Sequence, residues 1–352
     1  MELTNSGLNN ELIEQMIQEG FEIGRVIKEH KERYEIQSGD VILQGEITGN
    51  LRYSASERSD FPAVGDWVKF QSLDDQLGII IEVLPRKTKL ERKAVGKYGE
   101  TQIIAANIDI AFIVQSVGQD FNLNRMERYF VLCHSSGIKP IVLLNKVDLI
   151  EERELEELIT LISSRTDHIK VIPVSSVSGR GLDEVRNTMK PNFTHCFLGS
   201  SGVGKSTLIN GFLGASFLKT QEVSTSHHKG KHTTTHRELI QLPDGSMVID
   251  TPGMREVGMV DQSDGVTETF QQISEVADNC QFRDCTHTVE KGCAVLEAME
   301  DELISRSAYE NYQKLKREQE RFSHSKREKR AADKSLGKLY KSIQNIKKKR
   351  KF

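Results

Sequence analysis

The chain has 352 residues, a length that predicts two or three domains rather than one. Hydrophobic residues make up 37% and charged residues 28%, with a net charge of −3, which is typical of a soluble globular protein. The apolar runs are far shorter than the ~18 residues that a membrane-spanning helix needs. The first residues lack a secretory leader pattern, and five cysteines do not suggest a disulfide framework. We therefore expect a protein of the reducing cytoplasm.

The charge is unevenly distributed along the chain. Residues 311–352 carry 16 Lys and Arg against 4 Asp and Glu, a net charge of +12, so the other 310 residues carry −15. Such a tail is typical of a solvated, partly helical or disordered segment. It equally suits binding to a polyanion, since neutralising phosphates releases their counterions. The acidic body disfavours free duplex DNA as the partner of the whole molecule.

The first 90 residues predict a helix followed by a small β-domain. Residues 1–18 show helical spacing, and short β-type runs separated by polar turns follow at 21–28, 33–37, 41–47, 66–70 and 78–84. Five such strands are typical of an OB-type β-barrel, which often binds RNA. Periodicity alone leaves open a β-domain without a nucleic-acid function. The charged, glycine-containing residues 91–100 are predicted to be a linker.

The central part of the chain alternates strands and helices. Apolar runs lie at 108–115, 138–144, 169–174 and 195–198, and a hairpin is predicted at 238–242 and 247–250. Helical stretches lie between them at 124–135, 151–163, 182–189 and 205–213. This alternation predicts an α/β domain with a mainly parallel sheet covered on both faces. From about residue 265 the sequence becomes polar and helical.

The sequence GSSGVGKS fits the phosphate-binding pattern G-x-x-x-x-G-K-[ST]. A strand precedes it and a helix follows, the order that lets backbone N–H groups and a helix N-terminus surround a phosphate. Lys205 is expected to reach the β- and γ-phosphates, and the Ser206 hydroxyl to bind Mg²⁺. A Gly/Ser-rich loop that binds nothing is the alternative. The predicted phosphate-binding residues are Gly199, Ser200, Ser201, Gly202, Val203, Gly204, Lys205, Ser206 and Thr207.

The sequence NKVD, at the end of the second apolar run, matches the N-K-x-D signature of GTP-binding proteins. A carboxylate such as Asp148 accepts hydrogen bonds from guanine N1 and N2 together, a donor pair that adenine lacks. Lys146 is expected to lie over the base and Asn145 to brace the loop. Ser175 and Ser176, at the end of the next strand, are candidates to support guanine O6. Beside a phosphate loop, this motif predicts GTP as the nucleotide.

Two further motifs are expected to surround the terminal phosphate. Asp250, which begins the sequence DTPG, is predicted to hold Mg²⁺, and the Gly253 N–H is predicted to meet the γ-phosphate. The run GKHTTTH, from residue 230, is predicted to contain switch I, which closes on Mg²⁺ and the γ-phosphate. The sequence leaves open whether Thr233, Thr234 or Thr235 makes that contact.

The group that orients the attacking water is expected to be unusual. Many GTPases carry a Gln directly after D-x-x-G, but this chain has Met254, which cannot hydrogen-bond to a water. Turnover of the isolated protein is therefore expected to be slow. His232, beside the switch I threonines, is the candidate for orienting the water. The alternative is a solvent-exposed loop histidine.

Three cysteines and a histidine cluster near the C-terminus. Cys280, Cys285, His287 and Cys293 form the pattern C-x₄-C-x-H-x₅-C. Three thiolates and an imidazole suit a closed tetrahedral Zn²⁺ site, and because no ligand position stays open the site is predicted to be structural. A coincidental cluster and an iron site are the alternatives. The other two cysteines lie in apolar runs and are expected to be buried.

The order of the motifs differs from that of ordinary Ras-like GTPases, in which the phosphate loop precedes N-K-x-D. Here N-K-x-D and the serine loop come first, which predicts a circularly permuted Ras-like P-loop domain. With its OB-like domain, permuted motifs and Cys/His cluster, the chain resembles the RsgA (YjeQ) family of bacterial small-ribosomal-subunit-dependent GTPases over nearly its whole length. The predicted domains are 1–95 (helix and OB-fold RNA-binding domain), 96–264 (GTPase) and 265–352 (zinc-binding helical domain with basic tail).

The resemblance implies a GTP hydrolase that acts late in the maturation of the 30S subunit, with hydrolysis stimulated by that subunit. The implied partners are GTP and GDP, the 30S subunit and its 16S rRNA, with Mg²⁺ accompanying GTP and one structural Zn²⁺. We expect no membrane association, and a monomer. Two alternatives stay open: an RNA-binding scaffold that GTP merely stabilises, and a permuted GTPase that acts on the large subunit.

Overall fold

The structure is a computed structural model that describes residues 10–30, 33–55, 57–93, 101–166, 169–213, 237–250, 263–321 and 323. Within these ranges, no helix combines the length and apolar character needed to cross a membrane. The predictions for residues 1–9 and for the tail from residue 324 lie outside the described residues.

The N-terminal part forms a closed five-stranded barrel, as the sequence predicts. Helix α1 (Asn10–Gln18) precedes the strands β1 (Glu22–His30), β2 (Arg33–Ser38), β3 (Val41–Ile47), β4 (Trp67–Ser72) and β5 (Leu77–Val83). Neighbouring strands are antiparallel except β3 and β5, and β4 pairs with β1 to close the barrel. The barrel encloses a core that includes Val26, Ile36, Phe70 and Ile80.

The predicted linker at 91–100 is wrong in its first residues. Strand β6 (Lys89–Lys93) pairs antiparallel with β7 (Thr101–Ala106), while residues 94–100 lie outside the described part. Leu90 is fully buried in a core that it shares with residues of the central α/β part, such as Ile113 and Phe130. Charged residues on the exposed side of β6 hide this strand from a hydrophobicity pattern. The hairpin spans residue 95, and the predicted domain limits stay a prediction.

A predicted turn after β3 is instead a short helix, α2 (Gly49–Ser54). Its N-cap is Thr48, whose hydroxyl accepts a hydrogen bond from Leu51 N at 3.1 Å. Glycine and asparagine in the first turn make this segment look like a tight turn in sequence.

A second group of strands carries the predicted phosphate loop. These are β8 (Ile110–Ser116), β9 (Lys139–Asn145), β10 (Val171–Val174), β11 (Thr194–Leu198), β12 (Arg237–Gln241) and β13 (Met247–Asp250). Their order across the sheet is β10-β9-β8-β11-β13-β12, and all neighbours are parallel except β12 and β13. The strand that leads into the phosphate loop, β11, therefore lies in the middle of the sheet.

Helices cover this sheet on both faces, as predicted. They are α3 (Leu123–Ser135), α4 (Glu152–Ser163), α5 (Leu182–Thr188) and α6 (Lys205–Leu213). Successive residues of β8 enter opposite cores: Ile113 packs on one face and Phe112 on the other. Cys133 and Cys196 are buried thiols, as predicted. Burial raises the pKa of Cys196 to about 12, so it is a protonated core side chain.

Backbone pairing joins the barrel to the nucleotide sheet. Strand β1 belongs to the barrel and also pairs antiparallel with β12, with Lys28 opposite Glu238 and Glu29 opposite Arg237. Barrel and sheet are thus one continuous hydrogen-bonded surface. This pairing, called the β1–β12 crossing below, lies at the start of β12, directly after the residues predicted to form switch I.

A buried arginine lies beside this pairing of β1 with β12. Arg25 of β1 is 3% exposed, and its Nη2 donates to Thr194 Oγ1 at 2.6 Å and to the Asn107 carbonyl at 3.3 Å. Its Nε donates to the Gly65 carbonyl at 3.3 Å, and the guanidinium stacks 5.2 Å from the Trp67 ring centroid. Burial lowers the pKa of Arg25 to about 10, so the side chain still carries its charge at neutral pH.

The C-terminal part is helical and packs on α3. It comprises α7 (Ser263–Thr269), α8 (Gln271–Ala277), α9 (Ala294–Glu300) and a helix at residues 306–321, α10. Its core joins Val131 of α3 to Val266, Phe270 and Leu315. A Cβ atom at Gly265 would collide with the Val131 carbonyl, so only glycine lets α7 approach α3 this closely.

Charged side chains reinforce the packing of α10 on α3. Glu127 of α3 is 1% exposed at its side chain and accepts from Arg165 Nη2 at 2.7 Å and from Asn311 Nδ2. The next residue of α3, Arg128, forms a two-pronged pair with Glu318 of α10 at 2.7 and 2.8 Å. Both carboxylates are thus held by donors from other elements: Glu127 by Asn311 of α10 and by Arg165, which follows α4, and Glu318 by Arg128 of α3.

Candidate functional site

The predicted nucleotide-binding residues come from distant parts of the chain and meet at one edge of the sheet. Asn145 ends β9 and lies in register with Ser116 of β8 and Val174 of β10, while Leu198 of β11 lies opposite Ile113. Parallel strands place their carboxyl ends at the same edge, which is where α/β sheets bind ligands. The N-K-x-D motif, the serine loop and the phosphate loop therefore adjoin despite their order in the chain.

The predicted phosphate loop connects β11 to α6. Gly199 and Gly204 have φ values of 147° and 100°. A Cβ at Gly199 would collide with the backbone of β8, and one at Gly204 with the Asn145 amide, so both positions require glycine. Lys205 Nζ donates to the carbonyls of Gly199 at 2.8 Å and Ser200 at 2.6 Å. The ammonium thus lies against the loop that is predicted to hold phosphate.

The N-K-x-D motif contacts the phosphate loop directly. Asn145, 2% exposed, donates from Nδ2 to the Val203 carbonyl at 2.7 Å. Lys146 has a left-handed backbone conformation with φ of 64° and donates from Nζ to the Gly202 carbonyl at 2.9 Å. These two hydrogen bonds fix the position of the base motif relative to the phosphate loop.

The serine loop meets the carboxylate predicted to read guanine. Buried Ser175 donates from Oγ to Asp148 Oδ1 at 2.6 Å and accepts from the backbone N–H of Ser178 at 3.0 Å. Asp148 itself is exposed. Ser176 Oγ is buried and has no hydrogen-bond partner in the described part of the chain. Burying a hydroxyl without a hydrogen-bond partner is unfavourable in free energy. A ligand with a polar ring would supply the missing hydrogen bond.

The remaining predicted site residues lie in α6, at the end of β13 or outside the described residues. Ser206 lies in the first turn of α6 and is half-buried, and Thr207 beside it is exposed. The backbone of Asp250 ends β13 next to β11, but its side chain lies outside the described residues. The residues predicted to form the switches and to handle the water also lie outside the described ranges: His232, Thr233, Thr234, Thr235 and Gly253.

Sequence reasoning missed a side chain at the phosphate loop. Arg125, in the first turn of α3, donates from Nη1 to Ser200 Oγ at 3.0 Å. Its backbone N–H is held by the side chain of the N-cap residue Asn122 at 2.9 Å. One arginine in the first turn of a helix belongs to no motif, and only the spatial neighbourhood of β8 and β11 reveals the contact.

The four predicted metal ligands come together as a candidate metal centre. The ligand atoms of Cys280, Cys285, His287 and Cys293 all lie within 4.8 Å of one another. His287 Nδ1 is 3.5 Å from the sulfur atoms of both Cys280 and Cys293, and none of the three thiols forms a disulfide. Three sulfurs and one imidazole nitrogen are the donor set of structural zinc sites, so these residues fit Zn²⁺.

Hydrogen bonds hold the histidine of this cluster in place. His287 has a left-handed backbone with φ of 58°, and its carbonyl accepts from the Tyr309 hydroxyl and from Gln313 Nε2 of α10. Burial lowers the pKa of His287, which favours the neutral imidazole that binds metals. The ligand cluster is therefore anchored to the same helix that pairs with α3.

These features define a class of protein. A central strand leads into a glycine-rich phosphate loop, and an N-K-x-D motif that comes earlier in the chain contacts that loop in space. The protein is a circularly permuted P-loop GTPase.

Comparison with known proteins identifies the family. The model of the RsgA GTPase family matches residues 83–260. "Small ribosomal subunit biogenesis GTPase RsgA 1" of Bacteroides thetaiotaomicron is 41% identical over 92% of this chain and 90% of its own. The corresponding RsgA of Methanosarcina acetivorans is 42% identical over 83% of this chain and 78% of its own. The chain belongs to the RsgA GTPase family.

Two solved structures share the fold. The crystal structure of YjeQ from Thermotoga maritima has a TM-score of 0.64 and 25% identity, covering 85% of this chain and 98% of that one. YloQ, described as a circularly permuted GTPase, has a TM-score of 0.61 and 26% identity, covering 85% and 95%. The permuted arrangement is therefore shared with proteins of known structure.

Proposed function

We propose that the chain hydrolyses GTP as a late maturation factor of the small ribosomal subunit, and that its bound nucleotide governs when it leaves the subunit. The observation that carries this proposal is the direct contact of Asn145 and Lys146 with the phosphate loop. This contact brings the motif predicted to bind guanine and the loop predicted to bind phosphate together at one edge of the sheet. The relatives that bear the small-subunit name match this chain over most of its length.

Guanine selection is assigned to Asp148 and the serine loop. The carboxylate of Asp148 accepts from guanine N1 and N2, and Ser175, which donates to its other face, keeps it in position. Ser176 supports the guanine O6, for which its buried hydroxyl is a suitable donor. Lys146 covers the base plane.

Phosphate binding and hydrolysis are assigned to the loop and its neighbours. Lys205 exchanges its two carbonyl partners for β- and γ-phosphate oxygens, and the N–H groups of residues 199–206 surround the β-phosphate. Ser206 and Asp250 would hold Mg²⁺, which supplies charge neutralisation on the phosphates when bound. His232 orients the water that attacks the γ-phosphorus, so that the bond to the β-phosphate oxygen breaks and GDP leaves.

The metal centre and the tail are assigned to structure and to partner binding. Zn²⁺ held by the four ligands would tie the 280–293 loop to α10 and carries out no step of the reaction. The barrel, the metal domain and the +12 tail together contact 16S rRNA, whose phosphates suit that charge. The protein acts in the cytoplasm as a monomer.

Phosphate release by the purified protein, with GTP or ATP and with added 30S, 50S or 70S particles, tests this function. We expect GTP turnover that is slow alone and rises with 30S subunits only. Asp148→Asn removes the guanine acceptor and should abolish it, whereas Asp183→Asn, an exposed aspartate of α5, is the matched control. A preference for ATP, or equal turnover with and without 30S subunits, would contradict the proposal.

A further inference from the structure

Arg125 brings a second cationic side chain to the phosphate loop. Its guanidinium, on a half-buried side chain, donates to Ser200 Oγ at 3.0 Å, and the Ser200 carbonyl accepts from Lys205 Nζ at 2.6 Å. Ser200 thus accepts hydrogen bonds from two cationic side chains, one at its hydroxyl and one at its carbonyl. It belongs to a loop whose glycines and backbone N–H groups are arranged for an anion.

In the described part of the chain, the charge of Arg125 has no carboxylate partner. Among the residues that the structure describes, no carboxylate forms an ion pair with it; its side-chain partner is the neutral Ser200 hydroxyl. Two neighbouring arginines differ in this respect. Arg128, on the same helix, pairs with Glu318, and Arg165 pairs with Glu127. An arginine left without a carboxylate beside a phosphate loop is suited to a phosphate oxygen.

We propose that Arg125 is a GTP-discriminating residue: with GTP bound, its guanidinium donates to an oxygen of the terminal phosphate. The proposal rests on the assignment of residues 199–206 as the phosphate loop. Arg125 binds the hydroxyl and Lys205 the carbonyl of the same loop residue, Ser200, and Lys205 is the residue expected to reach the γ-phosphate. GDP lacks the group that Arg125 contacts, so the contact favours the triphosphate.

This role would add a second cationic side chain, beside Lys205, at the terminal phosphate. Met254 stands where many GTPases have a water-orienting glutamine. A guanidinium from the same chain, held on a rigid helix, stabilises negative charge on the γ-phosphate as an arginine finger does when a partner protein supplies it. Lys cannot fully replace it, because an ammonium offers a point charge rather than a planar set of donors.

Equilibrium binding of fluorescent GDP and of a fluorescent non-hydrolysable GTP analogue tests the proposal. In Arg125→Gln, which keeps a polar side chain but removes the charge, we expect affinity for the GTP analogue to fall by about tenfold or more, the effect of losing a charge-assisted hydrogen bond. Affinity for GDP should change by less than about twofold. Arg125→Lys should restore part of the loss. Arg153→Gln, on the exposed face of α4, is the matched control and should behave as wild type.

Two results separate this proposal from the function on which it rests. Equal loss of GDP and GTP-analogue affinity in Arg125→Gln, or no loss of either, would show that Arg125 merely braces Ser200 and would overturn the proposal alone. Failure of the wild-type protein to bind either guanine nucleotide would instead contradict the proposed GTPase function. Thermal unfolding of each variant identifies any that fails to fold. If Arg125→Gln does not fold, Arg125→Lys is compared with wild type instead, and a loss of affinity for the GTP analogue but not for GDP again supports the proposal.

Discussion

The nucleotide sheet is attached to its two neighbours in different ways. On one side, the barrel joins it through backbone hydrogen bonds between β1 and β12 and through the buried Arg25. On the other side, the described part of the C-terminal helices contacts α3 through an apolar core and through the charged groups around Glu127 and Arg128, without a ladder of backbone–backbone hydrogen bonds. A backbone ladder has a fixed register, whereas a side-chain interface can separate without breaking secondary structure. We therefore expect the C-terminal side to respond to solution conditions and the barrel side to resist them.

Removal of the metal should have the largest effect, confined to the C-terminal side. Structural zinc contributes roughly 10–16 kcal/mol of apparent binding free energy in small zinc domains, so Cys280→Ser should unfold the 280–293 loop and loosen α10. Hydrogen exchange should rise sharply in α8 to α10 while the β1–β12 crossing stays protected. Asp284→Asn, an exposed residue of the same loop, is the control. An equal loss of protection in the C-terminal helices and at the β1–β12 crossing would contradict the expected difference between the two sides.

Truncation of the buried arginine should be the next largest effect, on the barrel side. Arg25→Ala removes the donor to the Thr194 hydroxyl and to the Asn107 carbonyl, while the Gly65 carbonyl keeps its hydrogen bond from Asn107 Nδ2. We expect the free energy of unfolding to fall by about 3 kcal/mol. Urea denaturation measures this change. Lys28→Ala, which removes a partly exposed ion pair at the same crossing, should cost less than about 1 kcal/mol. A loss at Arg25 no larger than that at Lys28 would show that backbone pairing alone holds the junction.

The ion pair between α3 and α10 should contribute less and should depend on salt. A double-mutant cycle of Arg128→Ala and Glu318→Ala should give a coupling of about 1 kcal/mol or less, because both side chains are partly exposed to solvent. The coupling should shrink further in 1 M salt, where the screening length is about 3 Å. Coupling that is unchanged by salt would show that this interface is as insulated as the barrel side.

The smallest expected effect is a dependence of sheet stability on acid. Burial lowers the pKa of His195 in β11, so the folded state favours its neutral form. That stabilisation is complete above the unfolded pKa of about 6.5 and is lost as pH falls through the lower folded pKa. Wild type should therefore lose stability more steeply than His195→Asn as the pH falls below about 6.5. Parallel pH profiles would disprove this role for His195.

The strands and the nucleotide motifs could be predicted because their signals are local. The observed barrel strands differ from their predicted bounds by no more than two residues, and the glycines of the phosphate loop sit where their backbone angles require them. The contacts across the sheet could not be predicted in this way. Arg125 and Glu127 are ordinary charged residues on an amphipathic helix, and their partners Ser200 and Asn311 are distant in sequence. Only the packing of α3 gives them a role.

The β1–β12 crossing also guards against mispairing. It contains two register pairs with opposite charges facing each other: Lys28 is 3.1 Å from Glu238, and Arg237 is 3.5 Å from Glu29. A slip of one residue in one direction would set Lys28 against Arg237, and in the other direction Glu29 against Glu238. Like charges directly opposite each other are unfavourable, and a one-residue slip would also turn every side chain to the other face of the sheet. The charges on this short ladder therefore favour one register between the barrel and the sheet.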